Sequence, residues 1–590
     1  MKNKNFSELM TYAGKHKILT YLSLVFGSIS GILALVPFIY IWLIIKEVIE
    51  VMPNFANATG IVHNGWMAVI FALLAMIVNF IALMCSHTSA FRIAANMRIK
   101  LMKHITKLPI GKIDEMGSGK LRKIVTEATE ATETYLAHQL PDLSVAITTP
   151  IAMLIILFIF DWRLGIVSLI PTVLGFMAMS KMMGKAMQKD IECYQSSLED
   201  MNNQAVEYVR GMPVVKTFGQ TIFSFKKFKG SIDNYNKFCM SYTEKARKPM
   251  ILFQVAINSV FAFLIAITLI IVGKGSIDQT FFLNLLFYII FTPILSTTLS
   301  KIVFMSENKM IVADSLQRIH TILDIEPLSN TKSKVALIDN SVELKNVKFK
   351  YENSNNNAID GISIKIPANK TIALVGPSGG GKSTVASLIS RFYDVDSGEI
   401  LIGGINVKNI NKEQLANTIS FVFQNSKLLK TSLYENVKLS KPEASKVEVL
   451  NALHLAQCDD IVAKLPQGID TIIGTKGVYL SGGEQQRVNI ARIMLKDSKI
   501  VILDEATAFA DPENELQVQK AFEELAKNKT VIMIAHRLST IKNVDTIYVL
   551  KNGKIEEMGN HEELLNKDGL YKKMWNDYRT SISWKVGDMQ

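Results

Sequence analysis

The stretch "TIALVGPSGGGKSTVASLIS", Thr371 to Ser390, decides how the C-terminal half of the chain folds. Its first five residues are mostly apolar and read as a buried strand. A glycine run then breaks regular structure, and "KSTVASLIS" resumes as a helix. Gly376, Pro377, Ser378, Gly379, Gly380, Gly381, Lys382 and Ser383 fit the pattern G-x-x-x-x-G-K-[ST] in full, in the strand–loop–helix setting it requires. Glycines let successive backbone N–H groups converge on one anion, and the helix N-terminus adds its dipole. In such a loop Lys382 reaches the β- and γ-phosphates of a nucleotide, and Ser383 holds Mg²⁺.

Further along, "KIVILDEATAFADPENE", Lys499 to Glu515, reads as a second buried strand that ends in two adjacent carboxylates. Two like charges at the end of an apolar run need a reason. A cation beside Asp504 supplies one, because Mg²⁺ offsets the cost of burying that carboxylate. Glu505, one residue on, is aimed differently and is placed to act as general base toward an attacking water.

Before about Ser306 the chain is of another kind. Hydrophobic residues make up 49% of the 590 and charged residues 20%, with a mean hydropathy of +0.22. The apolar excess lies in runs such as "LVPFIYIWLII" and "IAMLIILFIF". A membrane span takes about 20 mostly apolar residues. Six windows answer to that, at about 18–46, 65–88, 139–160, 164–184, 250–273 and 280–304. The first window and the polar stretch before it are both too long for a cleavable signal peptide, so the window reads as a retained span. "DIEPLSNTKSKVALIDNS", from Asp324, loses the long apolar runs and marks a boundary. The expected organisation is an α-helical six-span transmembrane domain over 1–325 with long cytoplasmic helical extensions. A linker over 326–340 follows, then an α/β P-loop ATPase domain over 341–590.

The net charge of +12 follows the spans. Lys2, Lys4, Lys15 and Lys17 precede the first, and the connection 51–64 has no Lys or Arg. The next connection is rich in both, from Arg92 to Lys123, as is the one from Lys189 to Lys248. The positive-inside rule then puts both termini and the ATPase domain in the cytoplasm of a multi-pass cell-membrane protein. The basic excess is spent on topology, so no nucleic acid is expected as a partner. The two basic connections, with few Gly or Pro, read as helices continuing out of the bilayer with a turn at the far end; a disordered loop is the alternative. Their tips fall near Gly119–Arg122 and Gly211–Gln220. His87, Gln254, Asn258 and Asn284 sit inside spans, where polar groups either face a substrate cavity or bond helix to helix. Cys85, Cys193, Cys239 and Cys458 are scattered, which predicts free thiols rather than disulfides or a metal site.

Between the two nucleotide motifs lies "LSGGEQQR", Leu480 to Arg487. Together with "GPSGGGKST" and "VILDEAT" it closely resembles the nucleotide-binding domain of ATP-binding-cassette transporters, and six spans before one cassette resemble a half-transporter of the exporter fold. The resemblance implies ATP and Mg²⁺ as cofactors. It implies roles for Tyr351 in stacking on adenine, Thr384 in the phosphate loop, and Ser383, Gln424 and Asp504 around Mg²⁺. It further implies that Ser481, Gly482, Gly483 and Glu484 form a signature reaching the ATP of an opposite subunit. Asp511 then sits at the dimer seam, Glu505 serves as base, and His536 acts as the switch residue on the γ-phosphate. An obligate dimer with a second half-transporter, identical or different, is therefore expected, with lipid around it and a small molecule as substrate. The wording of "DEATAFADPENE" and "EYVRGMPVVKTFGQT" resembles the exporter-fold transporters that take up iron–siderophore complexes such as yersiniabactin and mycobactin. No N-terminal siderophore-reducing domain is recognised. Export of a drug, lipid or peptide is the alternative function. An ATP-gated channel fits less well with an intact Glu505 and His536, and a soluble DNA-repair ATPase is excluded by the spans.

Overall fold

The computed structural model describes residues 4–180, 185–217, 226–273, 279–331, 333–352, 354–423, 428–474, 478–504, 512–535 and 538–583. The chain divides into two compact units. One comprises Met1–Met102 and Arg122–Leu323, the other Lys103–Leu121 and Asp324–Gln590.

The first unit is helical. Among the described residues five helices are long and apolar enough to cross a membrane, and a sixth span is complete if the bent pair Lys226–Asn258 and Val260–Ile271 counts as one. The 47° bend sits where side chains compete for the helix backbone. Asn258 Nδ2 donates to the Gln254 carbonyl (2.8 Å), and Ser259 Oγ donates to that of Ala256 (2.7 Å). Pro150, Pro171 and Pro293 lie inside helices as their windows required. The basic connections are helical extensions. Helix Ile61–Ile105 has 45 residues, more than twice what a span takes, and helices Lys185–Arg210 and Lys226–Asn258 continue the second connection.

With no hydrophobic drive between helices in lipid, packing rests on close approach and hydrogen bonds. Thr20 bonds Ser89 (2.6 Å), Ser30 Oγ donates to the Ala75 carbonyl (3.0 Å) and Ser86 Oγ to that of Ala137 (2.7 Å). Gly27 and Gly31, four residues apart on helix Lys17–Leu33, meet Ser144 and Thr149 of helix Leu140–Phe160. A Cβ at 31 would stand 2.5 Å from Thr149 Oγ1 and 3.3 Å from Val145 Cγ1. Gly31→Val should therefore force these helices apart, at about 1–3 kcal/mol. Gly65→Ala, with open space around its Cβ, should cost nothing. A thermal melt of the solubilised protein checks the pair; equal melts for both would refute the packing.

Among its described residues the second unit carries twelve strands: β1 (Val342–Phe349), β2 (Ile359–Ile366), β3 (Thr371–Val375), β4 (Ser397–Ile402), β5 (Ile405–Asn406), β6 (Ile419–Val422), β7 (Thr431–Ser432), β8 (Ile472–Ile473), β9 (Ile500–Asp504), β10 (Thr530–Ile534), β11 (Thr546–Lys551) and β12 (Lys554–Gly559). The main sheet runs β12-β11-β3-β10-β9-β6, parallel except at the β12 edge. An antiparallel sheet, β2-β1-β4-β5, and the pair β7-β8 complete it. Strand β9 shows why its sequence is apolar throughout. Ile500 and Ile502 pack with Ile372, Leu374 and Ile389 on one face, while Val501 and Leu503 pack with Val488 and Ala491 on the other. Cys458 is fully buried in this second core, where burial pushes its thiol up to about 12, so it is an inert packing group.

Candidate functional site

Parallel order puts the C-terminal ends of β3, β10 and β9 side by side, and loops at such ends are where α/β sheets bind ligands. The loop 376–381 leaves β3 there and enters helix Lys382–Ile389. Gly376 (φ 142°) and Gly381 (φ 101°) take backbone conformations that side chains resist. A Cβ on Gly376 would also lie 2.0 Å from the Leu550 carbonyl oxygen. Pro377, Ser378 and Gly379 form the exposed rim of the loop, and Gly380 is buried beneath it.

Lys382 is only 5% exposed. Its ammonium donates to the carbonyls of Gly376 (2.9 Å) and Pro377 (3.0 Å), so a buried cation is folded over the loop. Ser383 Oγ donates to Asp504 Oδ1 at 3.4 Å. A hydroxyl from the helix start and a carboxylate from the end of β9 thus converge. Oxygen ligands of this kind suit Mg²⁺, which is commonly held by one or two protein groups plus phosphates. Thr384 is buried and pairs its hydroxyl with that of Tyr351 (3.0 Å). Gln424, Glu505, Asp511 and His536 lie outside the described residues. Asp504 pairs in register with Ile534, two residues before His536 in the sequence.

The signature segment is built as a helix start. Ser481 is the N-cap of helix Gly482–Lys496. Its hydroxyl accepts from the Glu484 N–H (3.3 Å), and the Glu484 carboxylate accepts from the Ser481 N–H (2.8 Å). Gly482 stands exposed at the tip and Gly483 is buried behind it. One turn further, Arg487 is 1% exposed and pairs with both carboxylate oxygens of Asp460 (2.8 and 3.0 Å). Burial pulls the Asp460 carboxyl up, but these hydrogen bonds and the Arg487 charge outweigh it and hold the group below the ordinary range. Asp460 was not legible as part of the site, since only the fold brings it beneath the signature.

One further expectation is redirected. The tip of the first connection seats in the second unit through residues 107–115, upstream of Gly119–Arg122. Gly111 is buried against Tyr393, the Lys107 carbonyl accepts from Lys412 Nζ (3.0 Å), and Lys112 pairs with Glu352. A Cβ on Gly119 would meet open space. The physical reason is that only a glycine at 111 admits the Tyr393 ring. Of the second tip, helix Met212–Thr217 is described, and the residues after 217 lie outside the described ones. Among the described residues the polar groups of the spans have different surroundings, and Asn284 lines a cavity with Trp42, Lys46 and Glu50. Gln254 and Asn258 are exposed near the helix bend, where the Asn258 amide is spent on the Gln254 carbonyl. Asn284 is buried and donates to the Phe160 carbonyl (2.8 Å), a helix-to-helix bond. His87 packs edge-on against His138, 4.5 Å between ring centres.

Comparisons with known proteins agree with this architecture. Residues 21–294 match the family model described as "ABC transporter transmembrane region", and residues 359–508 match the one described as "ABC transporter". The mycobactin import ATP-binding/permease protein IrtA of Mycolicibacterium smegmatis is 34% identical over 83% of this chain and 56% of its own length. That of Mycobacterium tuberculosis is 34% identical over 83% and 57%. The chain therefore spans somewhat over half the length of these relatives. The ATP-dependent lipid A-core flippase of Haemophilus influenzae (strain 86-028NP) is 30% identical over 88% of this chain and 89% of its own. A solved bacterial Atm1-family ABC exporter with ATP bound superimposes with a TM-score of 0.74 at 24% identity, covering 97% of this chain and 99% of that one, and so shares its fold.

Proposed function

Since this chain belongs to the ABC transporter family, we propose that it is one half of an ATP-hydrolysing transporter of the cell membrane, and that its substrate is an iron–siderophore or related metal chelate taken into the cell. The observation that carries the ATP reading is the meeting of Ser383 and Asp504 under a loop capped by a buried lysine. ATP with Mg²⁺, when bound, supplies the phosphoanhydride that is cleaved. Lys382 then turns from its two loop carbonyls to the β- and γ-phosphates, and the loop N–H groups hold the chain of phosphates. Ser383, Asp504 and Gln424 hold the cation, Glu505 takes the proton of the attacking water, and His536 contacts the γ-phosphate. Tyr351 stacks on the base. Ser481, Gly482 and Gly483 serve a nucleotide on the other subunit, with Asp511 at the seam, so the working unit is a dimer, homo- or heteromeric. The lysine and arginine distribution favours cytoplasmic termini and a cytoplasmic ATPase domain.

For the substrate, the mycobactin import relatives support a chelate and inward movement. The lipid A-core flippase relatives favour the second reading, outward movement of a lipid, drug or peptide. Vesicle orientation separates them. An importer should load iron-charged chelate into right-side-out vesicles filled with ATP. An exporter should load solute into inside-out vesicles given ATP outside. ATP turnover that rises with iron-loaded but not iron-free chelators is expected; equal response to both would sink the chelate reading.

A further inference from the structure

We propose that Tyr393 is a positioning residue that ties the base-stacking tyrosine, Tyr351, to the tip of the first intracellular connection at Gly111, so that recognition of the base and the posture of that tip are set together. The inference rests on the reading of Tyr351 as the adenine partner.

The contacts are direct on both sides. Toward the connection, the Tyr393 ring lies on the backbone of Gly111: a Cβ there would fall 1.9, 2.2 and 2.4 Å from three ring carbons. The Gly111 N–H donates to the Phe392 carbonyl (3.3 Å), and the Tyr393 hydroxyl donates to Glu115 Oε1 (3.4 Å). Lys112, between them, pairs with Glu115 (3.5 Å) and with Glu352, the residue next to Tyr351. Burial first, and then the Glu115 carboxylate, hold the Tyr393 phenol above its ordinary range, so it stays a donor. Toward the nucleotide site, the Tyr393 ring meets Tyr351 edge to face, 5.5 Å between centres at 88°, and Phe349 at 5.2 Å. Tyr351 in turn bonds Thr384 of the phosphate-loop helix.

The consequence is mechanical. A base that stacks on Tyr351 competes with the contacts that ring now makes to Thr384 and Tyr393. Tyr393 is itself seated on the Gly111 backbone, so the two contacts share one ring. Coupling of this kind is reciprocal, so a change at residue 111, which touches no nucleotide, must alter binding of the base. It should leave alone a ligand that has phosphates and no base.

The test uses the full-length dimer and calorimetric binding of two probes, MgATP and magnesium tripolyphosphate. Gly111→Ala and Tyr393→Leu should each weaken MgATP by about tenfold (1.4 kcal/mol), with tripolyphosphate changed by less than about twofold. The double variant should lose no more than either single one. Tyr393→Phe keeps the ring and drops only the Glu115 bond, and should bind MgATP nearly as the parent does. Equal weakening of both probes would mean general damage to the domain and overturn the proposal, as would unchanged MgATP binding in both variants. If the parent dimer itself binds tripolyphosphate and MgATP equally, the assignment of Tyr351 fails instead, and the proposal falls with it.

Discussion

Glu505→Gln is expected to cut ATP turnover by about 10²- to 10⁴-fold, the usual worth of a positioned general base, while ATP stays bound. Ser383 meets Asp504, the last residue of β9, so the proposed function gives Asp504 to the cation and leaves the next carboxylate in the sequence for the water. Glutamine keeps the size and the hydrogen-bonding shape and removes only the basicity. Phosphate release measures the rate, and nucleotide retained after rapid gel filtration measures the trapped complex. Undiminished turnover would take the base role from Glu505; lost binding would make it a ligand rather than a base.

Lys382→Ala should weaken ATP binding by about 30-fold or more, from the 2–5 kcal/mol that truncating one member of a buried charged pair costs. The side chain is nearly sealed from solvent and already sits over the loop, where its charge is little screened. Alanine leaves the Gly376 and Pro377 carbonyls without their donor and the phosphates without their cation. The melt without nucleotide should fall somewhat, since the Pro377 carbonyl on the exposed rim can rehydrate but the carbonyl of the buried Gly376 loses its donor, whereas the rise in melting temperature on adding MgATP should vanish. An ATP-induced rise that survives the substitution would show that the loop holds phosphate without its lysine.

Several features needed no structure, because they are local. Hydropathy summed over about 20 residues marks a span wherever it lies. Strand, glycine loop and helix follow one another within Thr371–Ser390, so the phosphate loop was legible as written. The apolar run Ile500–Leu503 announced a strand buried on both faces. Helical connections followed from residue preferences along each segment. The departures all depend on what stands opposite in space. Nothing near Gly111 predicts the Tyr393 ring, so the docking point was placed about ten residues too far along. Asp460 looks like any helix-start acid until Arg487 is packed against it.

The sequence alone thus determined the order of parts, from the hydrophobic helices to a phosphate loop and a strand with terminal acids, since each is written in contiguous residues. Only the tertiary structure brought Ser383 and Asp504 together, 121 residues apart, and seated the tip of a membrane connection on an aromatic ring. Strand order and helix contacts are settled by packing between distant segments, and no stretch of chain carries that information by itself.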